Sequence, residues 1–227
     1  FKSTLSPAAQ SQYLSLSMIE QIRLFRAARA TGASTSAVEF YLEQIARPGS
    51  PLSELTLPNA LRLSSLAQQS GRADFLLWYA SRYRTDQAMI ESILRLSPDE
   101  ISAIRYVYDA KVGQYRDLLT GKFVSPRNLP WPENRGFAIE PQEITLKPGM
   151  VIDRYGSLSG RYAGEPGTSV LTRGMAIGTE DMPYVRLRVL KPTKVLAGPA
   201  APVPEFGAVG GSVQYYFSSS IQWWVDN

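Results

Sequence analysis

The sequence changes its periodicity near residue 122, and this change constrains the fold more than any other feature. Before it, apolar residues recur at three- and four-residue spacing, as in helices that pack through one face. The following stretch at 123–137, FVSPRNLPWPENRGF, has three prolines and no helical period. Short alternating segments between glycine and proline turns come next. We therefore predict an α+β protein, with an all-helical domain at 1–122 and a small antiparallel β-rich domain at 123–227.

Within the first half, the spacing predicts one helix from residue 6 to about 29. Its expected buried stripe consists of Leu14, Met18, Ile22 and Phe25. A second helix is predicted to begin in STSAVEFYLEQIA, where Ser36 is the expected N-cap and Glu39 the residue that completes a capping box. We predict an all-helical packing domain whose role the sequence leaves open between delivery, regulation and docking of a carrier, a delivery machine or the second half of the chain.

The motif SPDE at 97–100 is a strong helix start. Ser97 is the expected N-cap, Pro98 suits the first helical position, and the two acidic residues face the positive end of the dipole. The predicted helix runs to about Leu119 and ends at Gly121. Its apolar side is expected to contain Ile101, Ile104, Tyr108, Tyr115 and Leu118.

The second half is predicted to form an antiparallel, partly curled sheet. The clearest strand is 184–189, where Val185, Leu187 and Val189 alternate with two arginines. Further strands are predicted at 150–152, 194–197, 213–217 and 221–225.

Composition removes several classes of chemistry. The chain has no cysteine and no histidine, which excludes disulfides, thiol catalysis and thiolate or imidazole metal ligands. No apolar run reaches 18 residues, so no membrane span is predicted. The net charge of +4 comes without a Lys/Arg cluster or a nucleic-acid motif, and we predict no nucleic-acid partner.

Residues 151–162, VIDRYGSLSGRY, contain groups suited to a phosphorylated ligand with a flat ring. Arg154 and, downstream, Arg173 offer planar, permanently charged forks for phosphate. Tyr155 and Tyr162 offer ring faces for a flat cation. No P-loop or GxGxxG spacing is present, so the glycines are expected to serve as turns and close backbone approaches.

Two roles are open for Asp153. It is either a base or a stabiliser of positive charge on a sugar, or it orients the neighbouring Arg154 through an ion pair. Its position beside that arginine at a strand end favours the orienting role.

An ordered set of short motifs resembles a known family. The set comprises WP at 131–132, GF at 136–137, DRYG at 153–156, GRY at 160–162, Arg173, KP at 191–192, GG at 210–211 and Gln214. In this order the motifs resemble the tuberculosis necrotizing toxin domain, a family of NAD glycohydrolases. The resemblance covers about 123–227 and leaves the helical half unexplained.

The resemblance implies that the second domain hydrolyses NAD⁺, and NADP⁺ as well, to nicotinamide and the ADP-ribose product. It places Gln214 nearest the reacting sugar, with Arg154 and Arg173 as further catalytic residues. Asp153, Tyr155, Arg161 and Tyr162 are the implied substrate-binding residues. It also implies a secreted or injected effector that acts in the cytosol of a target cell, a cognate immunity protein, and neither metal nor cofactor.

Two other functions stay open. An ADP-ribosyltransferase breaks the same bond, but such enzymes place a glutamate near the ribose, and none stands beside Gln214. A non-enzymatic delivery or interaction module is the second alternative. The chain also departs from the family, whose members often have phenylalanine at the position of Tyr155 and in some cases use an upstream histidine that is absent here.

Overall fold

The computed structural model describes residues 1–227 and confirms an α+β fold with helices first and antiparallel sheets second. The chain forms two compact units, Phe1–Ser102 and Ala103–Asn227. We call them the helical unit and the second unit. The boundary between the units therefore lies about twenty residues before the predicted domain boundary.

Seven helices build the helical unit. They are α1 (Pro7–Ser15), α2 (Met18–Thr31), α3 (Thr35–Ile45), α4 (Leu57–Ser70), α5 (Ala73–Tyr83), α6 (Gln87–Ile93) and α7 (Pro98–Ala103), the last of which crosses into the second unit by one residue. Leu24, Leu42 and Leu61 lie in one buried cluster that joins α2, α3 and α4.

The single helix predicted from residue 6 to about 29 is wrong, and so is its buried stripe. The helix is interrupted at Leu16 and Ser17. The Ser17 hydroxyl accepts a hydrogen bond from the Glu20 amide (3.3 Å), and the Glu20 carboxylate accepts one from the Ser17 amide (2.8 Å). This capping box starts a new helix. The face that α2 buries contains Leu24 and Ala28, and the predicted stripe is exposed.

The capping box predicted at Ser36 and Glu39 is also wrong. Ser34 is the N-cap of α3, and its hydroxyl accepts from the Ala37 amide at 3.2 Å. The Glu39 carboxylate accepts instead from the backbone amide of Ser6, at the start of α1, over 2.5 Å. The S-x-x-E spacing favours Ser36, but the helix begins earlier and Ser36 lies within its first turn.

The helix that begins at Ser97 has the predicted cap but ends at Ala103, not near Leu119. A hairpin follows, made of β1 (Tyr106–Asp109) and β2 (Gln114–Asp117), and β3 (Phe123–Val124) completes a three-stranded sheet. Tyr108 and Tyr115 are cross-strand partners whose ring centroids lie 5.3 Å apart. A spacing of seven residues fits two helical turns and also this hairpin register.

The main sheet of the second unit has six strands, all antiparallel to their neighbours, in the order β4-β8-β9-β6-β5-β7. The strands are β4 (Gln142–Leu146), β5 (Val151–Tyr155), β6 (Tyr162–Gly164), β7 (Tyr184–Arg188), β8 (Thr193–Pro199) and β9 (Val213–Tyr216). The strand predicted at 221–225 is wrong, because α8 (Ile221–Asp226) lies there with Ser220 as N-cap.

One face of this sheet is apolar and packs against α8. Ile152, Ala163, Tyr215 and Ile221 belong to its buried cluster. Since successive strand residues point to opposite faces, the residues next to them in sequence lie on the other face. We call this other face the site face. No helix of the chain combines the length and apolar character that crossing a membrane requires.

Candidate active site

A row of directly paired residues crosses four strands on the site face. Asp153 of β5 pairs with Gly164 of β6, Gly164 with Gln214 of β9, and Gln214 with Gly198 of β8. Directly paired residues project to the same side of a sheet. Because two of the four have no side chain, neighbouring segments approach the sheet closely here. An alanine Cβ at Gly164 would lie 2.9 Å from Arg173 Nη1, and one at Gly198 would lie 3.1 Å from the Phe137 ring.

Asp153 is the buried anion of the site. Its side chain is 0% exposed, and Arg173 Nη1 lies 2.5 Å from its Oδ1 in an ion pair, although the angle is not that of a hydrogen bond. The Tyr184 hydroxyl donates to Oδ2 over 2.8 Å. Removing one partner of such a buried pair would leave an uncompensated charge, so the carboxylate and its partners depend on one another.

Arg173 is fully engaged by the protein. Its Nε donates to the Thr168 carbonyl (3.1 Å) and its Nη2 to the Glu165 carbonyl (2.8 Å). The guanidinium also lies over the Tyr155 ring, 5.2 Å from the centroid. With its side chain only 7% exposed, Arg173 joins Asp153, Tyr155 and the loop that follows β6.

Arg154 lies on the opposite side of β5 from Asp153, because the two are neighbours in a strand. The prediction that Asp153 pairs with Arg154 is therefore wrong, and its ion-pair partner is Arg173. Arg154 donates to the carbonyls of Ser157 (Nε, 2.6 Å) and Tyr162 (Nη1, 2.6 Å), and burial lowers its pKa. It holds the β5–β6 turn in shape.

Four tyrosines form two ring pairs on the site face. Tyr155 and Tyr184 are register partners with ring centroids 5.0 Å apart, and Tyr162 and Tyr216 form an equivalent pair, also at 5.0 Å. Burial raises the pKa of Tyr155 and of Tyr162, so both rings stay neutral through the physiological range. Neutral aromatic faces of this kind suit a flat cationic ligand.

Two arginines converge on the second tyrosine pair. Arg135 lies over the Tyr216 ring, 5.5 Å from the centroid, and Arg161 Nη1 donates to the Tyr216 hydroxyl at 3.3 Å. Neither forms an ion pair with a carboxylate. Both therefore keep a positive charge that is available to an anionic ligand.

The backbone that presents Arg135 is strained. Asn134 and Arg135 have φ values of 54° and 53°, and Gly136 follows at 73°. Such left-handed non-glycine residues are costly and cluster at functional sites. The Asn134 side chain supports the turn by donating to the Ile139 carbonyl over 2.9 Å.

Gln214 is held by this turn. Its Nε2 donates to the Gly136 carbonyl over 2.7 Å, and the same carbonyl accepts from the Ala201 amide over 2.9 Å. The Gln214 Oε1 accepts no hydrogen bond from the protein. An amide oxygen without a protein donor can accept a hydrogen bond from a hydroxyl group or a water molecule.

The structure thus brings together Asp153, Tyr155, Tyr162, Arg161, Arg173 and Gln214, and it places Arg154 on the other face. Sequence reasoning missed Arg135, Tyr184 and Tyr216. Strand alternation indicates the position of two of them. Tyr216 stands two residues after Gln214, and Tyr184 alternates with the apolar residues of β7, so both belong to the polar face. No sequence pattern indicates the position of Arg135, because a left-handed turn brings it to the sheet.

The site described above lies on one face of an antiparallel six-stranded sheet. Residues 145–227 match the model of the family described as tuberculosis necrotizing toxin, which confirms the resemblance for this segment. The chain is also similar to the solved tuberculosis necrotizing toxin complexed with its immunity factor IFT, at 18% identity and a TM-score of 0.37, over 58% of this chain and 81% of that chain. No curated protein matches the chain.

Proposed function

We propose that the second unit is an NAD(P)⁺ glycohydrolase of the toxin type. The observation that carries this proposal is the position of Gln214, whose free amide oxygen lies on a tyrosine-lined face within the segment that matches the toxin family. The reaction adds water to C1′ of the nicotinamide ribose. It yields nicotinamide, ADP-ribose or its 2′-phosphate, and a proton.

The chemistry suits a site without histidine. When the C1′–N bond breaks, its electron pair goes to the pyridinium nitrogen, and nicotinamide leaves as a neutral molecule without a general acid. The remaining task is to stabilise an oxocarbenium-like sugar and to position water, which fixed dipoles accomplish. We assign that task to Gln214 Oε1, which lies two strands away from the buried Asp153–Arg173 pair on the same face of the sheet.

We assign the rest of the substrate by charge and shape. The rings of Tyr155 and Tyr162 are the proposed surfaces for the nicotinamide and its ribose, and Arg135 and Arg161 the proposed contacts of the pyrophosphate. The role of Arg154 and Arg173 at the pyrophosphate stays a prediction. Both guanidinium groups are occupied by backbone carbonyls, so we propose that they mainly hold the loops of the site.

The acceptor of ADP-ribose separates this proposal from a transferase. Incubating the chain with NAD⁺ labelled in its adenine, together with a cell lysate, distinguishes the two. We expect the label in free ADP-ribose and none on protein, since no glutamate lies beside Gln214 in β9. Label that accumulates on protein would favour the transferase, and unchanged NAD⁺ with a folded chain would favour a non-enzymatic module.

Substitution of either free arginine should weaken substrate binding. We expect Arg135→Ala and Arg161→Ala each to raise KM for NAD⁺ about tenfold, because a hydrogen bond to a charged group contributes roughly 1.5–3 kcal/mol. Arg62→Ala, which removes an exposed arginine on α4 of the helical unit, is the matched control and should leave KM unchanged. Unchanged KM in both site variants would remove these arginines from the substrate model.

The pH dependence of turnover should be flat. The chain has no histidine, burial raises the pKa of Tyr155 and Tyr162 above 10.0, and the hydrogen bond to Asp153 does the same for Tyr184. We expect kcat to change less than about threefold between about pH 6 and about pH 9, where no side chain of ordinary pKa in this site titrates. A bell-shaped profile with a limb near neutrality would require another catalytic group.

The proposal includes a cognate immunity protein and action inside a target cell. An enzyme that consumes NAD⁺ would harm the cell that makes it, so the producer needs an inhibitor that blocks the site face.

A further inference from the structure

The outward face of α2 carries apolar side chains that remain exposed in the folded chain. Met18, Ile22 and Phe25 are 76%, 44% and 41% exposed. Their spacing of four and three residues aligns them in one stripe. The opposite stripe of the same helix, Leu24 and Ala28, is in the core of the helical unit, so α2 is apolar on both sides.

Neighbouring side chains widen this stripe into a patch. The Phe1 ring packs edge-on against Phe25, with centroids 5.4 Å apart, and Leu14 at the end of α1 and Ile19 on α2 are also exposed. We call the set the apolar patch; it comprises Phe1, Leu14, Met18, Ile19, Ile22 and Phe25. Exposed apolar side chains grouped in this way mark an interaction surface.

The charge around the apolar patch is positive. Arg23, Arg26 and Arg29 are exposed on the same helix and form no ion pair. The one acidic residue of α2, Glu20, is engaged with Ser17 in the N-terminal capping box. The outward side of α2 therefore combines large apolar side chains with three arginines.

We propose that the apolar patch binds an anionic lipid surface. Helices that lie in a membrane interface show this combination, with the apolar side chains at the boundary of headgroups and acyl chains and the arginines at lipid phosphates. Four of the six side chains of the patch belong to the single helix α2, and three arginines of the same helix supply the positive charge that complements an anionic surface.

Vesicle sedimentation with the full chain tests this proposal. We expect binding to vesicles of phosphatidylcholine with phosphatidylglycerol, weakened by added salt, and little binding to phosphatidylcholine alone. Changing Arg23, Arg26 and Arg29 together to glutamine should weaken binding roughly 100-fold, because each basic residue near an anionic surface contributes about a factor of five. The double variant Ile22→Ser and Phe25→Ser should weaken it at least tenfold.

Two controls separate specific from general effects. Arg62→Gln on α4 changes an exposed arginine outside the patch, and Leu119→Ser changes an exposed apolar residue of the second unit; both should bind as wild type does. Circular dichroism checks that the patch variants remain folded.

Three results would overturn the proposal: no binding to anionic vesicles, equal binding to neutral vesicles, or patch variants that bind like the controls. Absence of vesicle binding together with a concentration-dependent dimer that the patch variants abolish would show that a second copy of the chain covers the patch. None of these outcomes depends on NAD⁺ turnover.

Discussion

Replacing Asp153 by alanine is expected to lower the free energy of unfolding of the second unit by about 3–5 kcal/mol. The carboxylate is fully buried, and its removal leaves the Arg173 guanidinium, 7% exposed, without its counter-charge. The Tyr184 hydroxyl loses its acceptor at the same time. Urea unfolding followed by tyrosine and tryptophan fluorescence measures the change.

The control for this prediction is Asp226→Ala, which removes an exposed carboxylate at the end of α8 and should change the free energy of unfolding by less than about 0.5 kcal/mol. A double variant, Asp153→Ala with Arg173→Met, should recover part of the loss because no unpaired charge remains buried. If Asp153→Ala alone cost less than about 1 kcal/mol, the buried pair would not be the structural centre of the site.

Replacing Gln214 by alanine is expected to lower kcat for NAD⁺ about 10²-fold to 10³-fold, the usual effect of removing a fixed dipole from a reacting centre. Stability should change little, about 1 kcal/mol, because the amide contributes one hydrogen bond to the Gly136 carbonyl. That carbonyl keeps its bond from the Ala201 amide. Quenched-flow or steady-state assays of nicotinamide release measure the effect.

Gln222→Ala is the matched control, since this glutamine is exposed on α8 and bonds only to a neighbouring aspartate. It should retain wild-type turnover. A Gln214→Ala variant that kept full activity would show that the reacting sugar lies elsewhere on the second unit, even if the activity itself were present.

Most of what the sequence predicts about the second unit comes from the alternation of apolar and polar residues along its strands. The residues of β7 alternate clearly, and the strand was predicted to within a residue of its observed bounds. The same rule, applied to Asp153 and Arg154, already separates them onto opposite faces of β5. Adjacent positions in a strand therefore do not predict that two side chains pair.

The hairpin, the last helix and the position of Arg135 depend on contacts that cannot be predicted from the spacing of residues. Tyr108 and Tyr115 fit a helix as well as a hairpin, and the turn between the strands decided the outcome. The apolar segment that begins at Ile221 favours a strand by composition, but the Ser220 hydroxyl caps the Trp223 amide over 3.2 Å and starts a helix. Arg135 reaches the site through a left-handed backbone, which local sequence does not indicate for an arginine.

The proposed reaction is the hydrolysis of NAD⁺ on the face of the second unit that carries Gln214. Chromatography of the wild-type reaction tests it most directly by following NAD⁺, nicotinamide and ADP-ribose together. We expect nicotinamide and free ADP-ribose to appear in equal amounts as NAD⁺ disappears. Gln214→Ala should nearly abolish both products, and Gln222→Ala should not. A folded wild-type chain that leaves NAD⁺ and NADP⁺ intact would contradict it.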